Sequence, residues 1–211
     1  MAIFLVDFPP SEMERRLDDA LSVYVDAMRY PRGTENQRAG MWLEHARRPG
    51  WQAVAAVDVG SAQAEPTHPA TTGPTGQTPP AAELAGAPLV GIAYGYPGAP
   101  GQWWRQQVVS GLHQRGFPSP AAERLMAGYF ELTELHIHPR TQGRGVGEAL
   151  ARRLLAQRAE ATVLLSTPET GAETNRAWRL YRRLGFTDVI RGLHFTGDPR
   201  PFAILGRALP L

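Results

Sequence analysis

The chain has 211 residues, 43% of them hydrophobic and 20% charged, enough for one domain with a full core. It holds no cysteine, which excludes disulfides, thiolate metal sites and a cysteine nucleophile, and all 22 basic residues are arginine, which excludes a catalytic lysine and the lysine of a phosphate-binding P-loop. The formal net charge of +2 is unevenly spread: residues 121–211 carry 13 arginines against 9 acids, and residues 1–120 carry 9 against 11. An anionic partner therefore belongs to the C-terminal part, while mixed signs and the lack of an aromatic-interleaved basic stripe argue against nucleic acid. No apolar run approaches the roughly 18 residues of a membrane span, so no membrane partner and a cytoplasmic location are expected.

The opening run Ile3–Val6 lacks a basic start and meets Asp7 too soon for a signal segment, and it reads as a strand, Ile3–Phe8. Two helical stretches follow, 11–30 and 34–48. In the first, Ser11 and Glu14 have capping-box spacing, and Met13, Leu17, Ala20, Leu21 and Tyr24 recur at helical intervals. Strands are expected at Trp51–Val59 and Leu89–Tyr96. Between them residues 60–88 are rich in Pro, Ala, Thr and Gly and nearly free of large apolar groups, so they read as a disordered insertion without contacts, inside a single domain covering 1–211. Loop closure grows only logarithmically with length, so the flanking strands can still pair. Next come a helix near Trp103–Leu112, with Trp104, Val108 and Leu112 on one face, and a strand at Tyr129–Ile137. The 97–120 region reads either as a helix packed against the core or a dimer partner, or as a lid. A helix at Gly145–Ala159, a strand at Thr162–Ser166, a helix at Glu173–Leu184 and strands near Phe186–Ile190 and Phe202–Leu205 complete a mixed α/β order.

Between the 129–137 strand and the next helix the chain reads "HPRTQGRGVG". Pro139 stops strand pairing. Gly143, Gly145 and Gly147 allow successive backbone N–H groups to turn toward one point, where a helix N-terminus adds its unpaired donors and positive dipole end. This is the geometry of a phosphate or pyrophosphate site, although a flexible turn that binds nothing would use the same glycines. The spacing is G-x-G-x-G, which fits neither a P-loop nor the G-x-G-x-x-G dinucleotide fingerprint.

The run Gln142-Gly143-Arg144-Gly145-Val146-Gly147, placed after "LHIHP", resembles the Q/R-x-x-G-x-G/A signature of the GCN5-related N-acetyltransferases, the GNAT superfamily. About forty residues on, "NRAWRLYRRLGF" (Asn175–Phe186) looks like that family's second helix with its Tyr and Leu-Gly-Phe ending. The resemblance implies an α/β (α+β) fold: a central, mostly antiparallel mixed sheet of six to seven strands, flanked by about four helices and splayed at an acetyl-CoA site. It implies acetyl transfer to a primary amine of a small molecule, peptide or protein by direct attack. The loop Gln142, Gly143, Arg144, Gly145, Val146, Gly147 and Glu148 would hold the pyrophosphate, and backbone groups of Leu135, His136 and Ile137 would pair with the pantetheine arm. One departure concerns an Asn that many relatives carry seven residues before the Tyr. Here that position is Thr174, and Asn175 stands six before, open to reading as a CoA contact or as a helix cap.

Transfer to an amine needs a base for the amine and a proton for the departing thiolate. Tyr181 occupies the family's acid position, with core packing as the competing reading. Glu131 is preferred to Glu134 as base. In a regular strand the two face opposite sides, and a bulge would change that. His136 and His138 form an H-x-H pair without a third ligand, so no metal is expected, and His138 is a reserve base. The alternatives are a catalytically silent CoA-binding module and an interaction domain with an exposed Trp face; a homodimer is allowed for.

Overall fold

The computed structural model describes residues 2–61, 79–169 and 175–211. Strands β1 (Ile3–Asp7), β2 (Gln52–Asp58), β3 (Leu89–Pro97), β4 (Tyr129–Ile137), β5 (Thr162–Pro168), β6 (Thr187–His194) and β7 (Pro201–Ala208) form one sheet in the order β1-β2-β3-β4-β5-β7-β6. Every neighbouring pair is antiparallel except β4 with β5.

Both faces of the sheet are covered, and the period-two pattern of the strands divides the core. On β2, Ala53, Ala55 and Val57 join one cluster, and Val54 and Ala56 join the opposite one. The first cluster packs under α1 (Pro10–Arg15), α2 (Leu17–Met28) and α3 (Thr34–Ala46), with Leu21, Tyr24 and Trp42 fully or nearly buried. The second lies under α7 (Val146–Leu155) and α8 (Arg176–Arg183), which contribute Leu150, Leu154, Leu180 and Tyr181. A third cluster covers β5–β7 with α5 (Trp103–Gln114) and α6 (Ser119–Leu125). Trp104, Val108 and Leu112 of α5 are buried there against Ile190 and Leu193, so the 97–120 helix packs on the core rather than forming a lid.

Three expectations change. The helix expected over 11–30 breaks at Arg16 (φ −118°, ψ 28°) into α1 and α2, and no Ser11–Glu14 capping box forms. Pro9 is the cap and Pro10 enters the first turn, where its missing N–H would have had no partner. Second, α6 arises in a stretch that gave no sequence signal beyond its prolines. Third, the contact-free reading of 60–88 fails at its described ends. Helix α4 (Ala81–Gly86) follows residue 80, and the buried Arg16 donates to the carbonyls of Ala85 (3.1 Å) and Ala87 (2.8 Å). The disorder expected at 62–78 lies outside the described residues.

Candidate active site

The parallel contact between β4 and β5 lasts three residues: Tyr129, Phe130 and Glu131 pair with Thr162, Val163 and Leu164. From Leu132 onward that edge of β4 has no strand beside it among the described residues, and the sheet opens there as a wedge. His138 N–H donates to Val90 O (2.9 Å), so strand alternation turns the backbone groups of His136 toward β3 as well. Those of Leu135 and Ile137 face the opening, where Gln142 Nε2 donates to Ile137 O at 3.0 Å. Of the three residues expected to offer backbone groups to a pantetheine arm, His136 is thus directed away.

A bulge in β4 determines which side chains meet. Tyr94 pairs with Glu134 and Gly95 with Leu132, which leaves Thr133 as the extra residue. Gly95 permits the close approach, since a Cβ there would lie 2.0 Å from Glu131 O. The extra residue brings Glu131 and Glu134 onto one face, with Tyr94 and Tyr96 across from them.

Their environments differ sharply. Glu131 is 3% exposed, Tyr96 Oη donates weakly to its Oε1 (3.5 Å), and Oε2 has no hydrogen-bond partner among the described residues. Burial pushes this carboxyl up to about 8; Arg48, which stacks on the Tyr96 ring at 4.6 Å, opposes the rise. Glu134 is more accessible, and its Oε2 lies 2.5 Å from His136 Nε2. The His136 ring is set edge-on to Tyr24 (4.9 Å) and parallel to Trp42 (6.4 Å).

Tyr181 of α8 is buried in the cluster on the other face of the sheet, its ring against Phe186 (5.7 Å). Burial raises its phenol well above the usual range, and the negative charge of Glu134 adds to the rise. Among the described residues nothing hydrogen-bonds its hydroxyl. Tyr24, on the α2 side, is pushed up to about 12 by burial and also feels Glu134. The charge of Glu134 is thus felt by phenols on both faces of the sheet.

The glycine loop sits at the C-terminal end of β4. Thr141 is buried and anchors it, its hydroxyl donating to Val90 O (3.2 Å) and His138 O (3.0 Å). Gly143 and Gly145 take φ of 80° and 79°, a region that side chains with a Cβ rarely occupy, and space around both is open. Gly145 is the N-cap of α7 with no capping side chain, so the first N–H groups of the helix are left for a ligand. Gly147 differs: a Cβ there would meet Leu180 Cδ2 at 3.1 Å, so this glycine serves helix packing. Val146 is buried in the core, and the Glu148 carboxylate binds Arg152 (2.9 Å) and faces Arg183 (3.9 Å), leaving its backbone as the group available to an anion. Arg144 is exposed at the loop's tip. Gln142 Oε1 accepts from Arg176 (3.2 Å), tying the loop to α8 across the wedge. Asn175 caps α8, its Oδ1 accepting from Ala177 N (2.9 Å); Thr174 lies outside the described residues.

His138 is engaged at both nitrogens, with Arg140 N (3.2 Å) and Asp26 Oδ2 (3.3 Å). Sequence reasoning missed the Glu134–His136 contact. Its signal was present as E-x-H, two positions apart on one strand, but H-x-H spacing drew attention to metal instead.

This geometry agrees with the comparisons. Residues 109–188 match the family described as "Acetyltransferase (GNAT) domain". A GCN5-like protein acetyltransferase of Mycobacterium tuberculosis is 72% identical over 211 residues, covering the whole of both chains. The chain belongs to the GNAT acetyltransferase family. Solved structures of the family share its fold at low identity. NAA60 of Arabidopsis thaliana in complex with acetyl-CoA is 16% identical with a TM-score of 0.56 (99% of each chain covered), and a GNAT-family acetyltransferase from Bacillus cereus is 9% identical with a TM-score of 0.56 (100% of each). Membership supports acetyl transfer over the catalytically silent and pure interaction readings. In this GNAT acetyltransferase the glycine loop follows directly on the C-terminal end of β4, beside the opening between β4 and β5.

Proposed function

We propose that this protein is an acetyl-CoA-dependent N-acetyltransferase that moves the acetyl group to a primary amine by direct attack. The observation that carries this reading is the opening of the sheet beyond Glu131, with Glu134 on β4 and Tyr181 on α8 near enough for the carboxylate charge to raise the phenol. Acetyl-CoA supplies the activated acetyl thioester. The N–H groups after Gly143 and Gly145 would hold its pyrophosphate, which the open space at both glycines admits. The exposed backbone of Leu135 and Ile137 would pair with the pantetheine arm and polarise the thioester carbonyl.

Glu134 takes the proton from the attacking amine, directly or through one water, and Tyr181 gives its proton to the departing thiolate as the C–N bond forms and the C–S bond breaks. The bulge changes the choice of base from Glu131 to Glu134. Glu131, with its proton held to about pH 8 by burial, reads as a neutral carboxylic acid in the wall of the site. The acceptor class stays broad: small-molecule, peptide and protein amines, the last suggested by the relative named a protein acetyltransferase.

The test joins binding and turnover. Titration calorimetry should show acetyl-CoA binding, and thiol release over an amine panel should reveal turnover. Tyr181→Phe should then keep stability and acetyl-CoA affinity, because its hydroxyl has no hydrogen-bond partner among the described residues, while turnover falls by about 10² to 10⁴-fold. A well-folded Tyr181→Phe protein with near-normal turnover would remove the acid role.

A further inference from the structure

The Glu134–His136 contact asks for an explanation that acetyl-CoA binding does not give. The backbone of His136 faces β3, away from the wedge, so its place in this strand is not accounted for by a contact with the pantetheine arm. Its side chain is held on three sides. Tyr24 of α2 meets the ring edge-on at 4.9 Å, Trp42 of α3 lies nearly parallel at 6.4 Å with an interplanar angle of 20°, and Glu134 Oε2 stands 2.5 Å from Nε2. Trp42 is in turn pinned by Tyr94 at 5.1 Å and by Tyr24 at 5.7 Å. An imidazole fixed this firmly presents one nitrogen in one direction, and that direction is the carboxylate of Glu134.

We infer that His136 is a positioning residue for the acetyl-transfer step. Its Nε2–H donates to Glu134 Oε2, fixes the carboxylate in one rotamer at the wedge, and leaves Oε1 to receive the proton of the attacking amine. The inference rests on Glu134 being the base. A glutamate has three rotatable side-chain bonds and, on a strand next to an open edge, would otherwise sample several positions. Holding a proton acceptor within hydrogen-bond reach of its donor is what separates a working base from a nearby carboxylate. Glu134 and His136, two apart on the regular part of β4, share the α2/α3 face by strand alternation, and the bulge at Thr133 adds Glu131 to that face, where a regular strand would have left it opposite.

Other ionisable groups border the pair from every element packed on it: Tyr24 of α2, Arg38 and His45 of α3, Tyr94 and Tyr96 of β3, Glu131 of β4 and Tyr181 of α8. None of them is recorded within hydrogen-bonding distance of the Glu134 carboxylate. His45 contacts Tyr94 Oη instead (3.1 Å), and Arg38 stacks over Tyr24 at 5.9 Å. His136 is thus the one described side chain that holds this carboxylate.

The experiment exploits the two lengths of amide side chain. In His136→Gln the terminal N–H₂ falls near the place of Nε2 and can donate to Glu134; in His136→Asn it falls near Nδ1, one carbon short. Both proteins lose the ring and its packing equally, and both keep a polar side chain. With acetyl-CoA affinity and thermal stability measured as controls, kcat of His136→Gln should stay within about threefold of wild type, and that of His136→Asn should fall by on the order of 10 to 10². In a Glu134→Gln background, the Asn change should cost nothing further, because the group it positioned is gone. Equal kcat for the two amide variants, or the same fold-loss in both backgrounds, overturns the positioning role and leaves His136 as packing. Wild-type protein that binds acetyl-CoA yet acetylates no amine in the panel would instead sink the functional reading on which this rests.

Discussion

Glu131 is a carboxylic acid sealed in the wall of its own site. Burial raises it from an ordinary 4.5 to about 8, so between those values the folded protein holds a proton that the unfolded chain has released. The contribution is fully present below about pH 4.5 and is lost as pH rises through about 8, which makes the folded state progressively less stable over that window. Replacing Glu131 by Gln keeps the shape and the hydrogen-bonding end but removes the titration. Unfolding followed without acetyl-CoA at pH 5, 7 and 9 should show the Glu131→Gln protein close to wild type at pH 5 and clearly more stable at pH 9, by on the order of a few kcal/mol. A difference that stays flat with pH would mean that the carboxyl reaches water after all. His45 shows the mirror image: burial lowers it to about 4, so it stays neutral beside Tyr94 and adds stability that is lost as pH falls from 6.5 toward 4.

At the scale of elements, the chain's local signals served the strands and the glycine loop better than the helices. β4 is read from its alternation and its Pro139 stop with both ends correct, because a strand flanked by turn chemistry leaves few alternatives. The bulge in β4 was not legible: Thr133 carries no mark of it, and the telling residue, Gly95, sits on the neighbouring strand nearly forty positions earlier. That is why the choice between Glu131 and Glu134 could not be made from local pattern. The long first helix was over-read for a similar reason, since the Arg16 break is decided by carbonyls of Ala85 and Ala87 far along the chain. Within the loop the three glycines look alike in sequence yet do different work, and their substitutions should separate. Gly145→Val forces a β-branched residue to φ 79° at the mouth of α7 and should abolish acetyl-CoA binding with a modest stability loss of about 1–2 kcal/mol. Gly147→Val has no such strain but pushes on Leu180, Ile137 and Leu135, so it should lower stability by about 1–3 kcal/mol as its first effect. Calorimetry for the ligand and denaturant unfolding for the fold, run on both proteins, check the distinction; identical profiles would refute it.

The whole molecule is two half-sheets, β1–β4 and β5–β7, joined by a ladder of only three residue pairs and laced over the gap by Gln142 to Arg176 and by Arg200 to the Tyr30 hydroxyl (3.1 Å). Such a join leaves room for a ligand in the sheet, while the cluster under α7 and α8 runs beneath both halves, from Val54 and Phe130 to Val163 and Leu205, and ties them together. The described ends of the segment between β2 and β3 lie in the first half. Its two strands are already paired from Gln52 with Gly95 to Val57 with Leu89, and α4 is clamped by Arg16, so residues 62–78 are not needed to hold either end in place. Replacing 62–78 by a four-residue Gly-Ser linker shortens the closed loop by about two halvings, which by loop entropy alone stabilises the fold by roughly 1 kcal/mol. Arg16→Met, in contrast, strips the buried Ala87 carbonyl of its charged donor, while the exposed Ala85 carbonyl keeps Arg15, and should cost about 1–3 kcal/mol. The two changes touch the same hairpin connection from opposite ends, so measuring both by urea unfolding, with acetyl-CoA affinity as the second readout, locates the part that matters. The expected outcome is a linker protein at least as stable as wild type with unchanged affinity, beside a destabilised Arg16→Met protein. A linker protein that loses more than about 2 kcal/mol would show that the segment makes contacts of its own and that the hairpin depends on it.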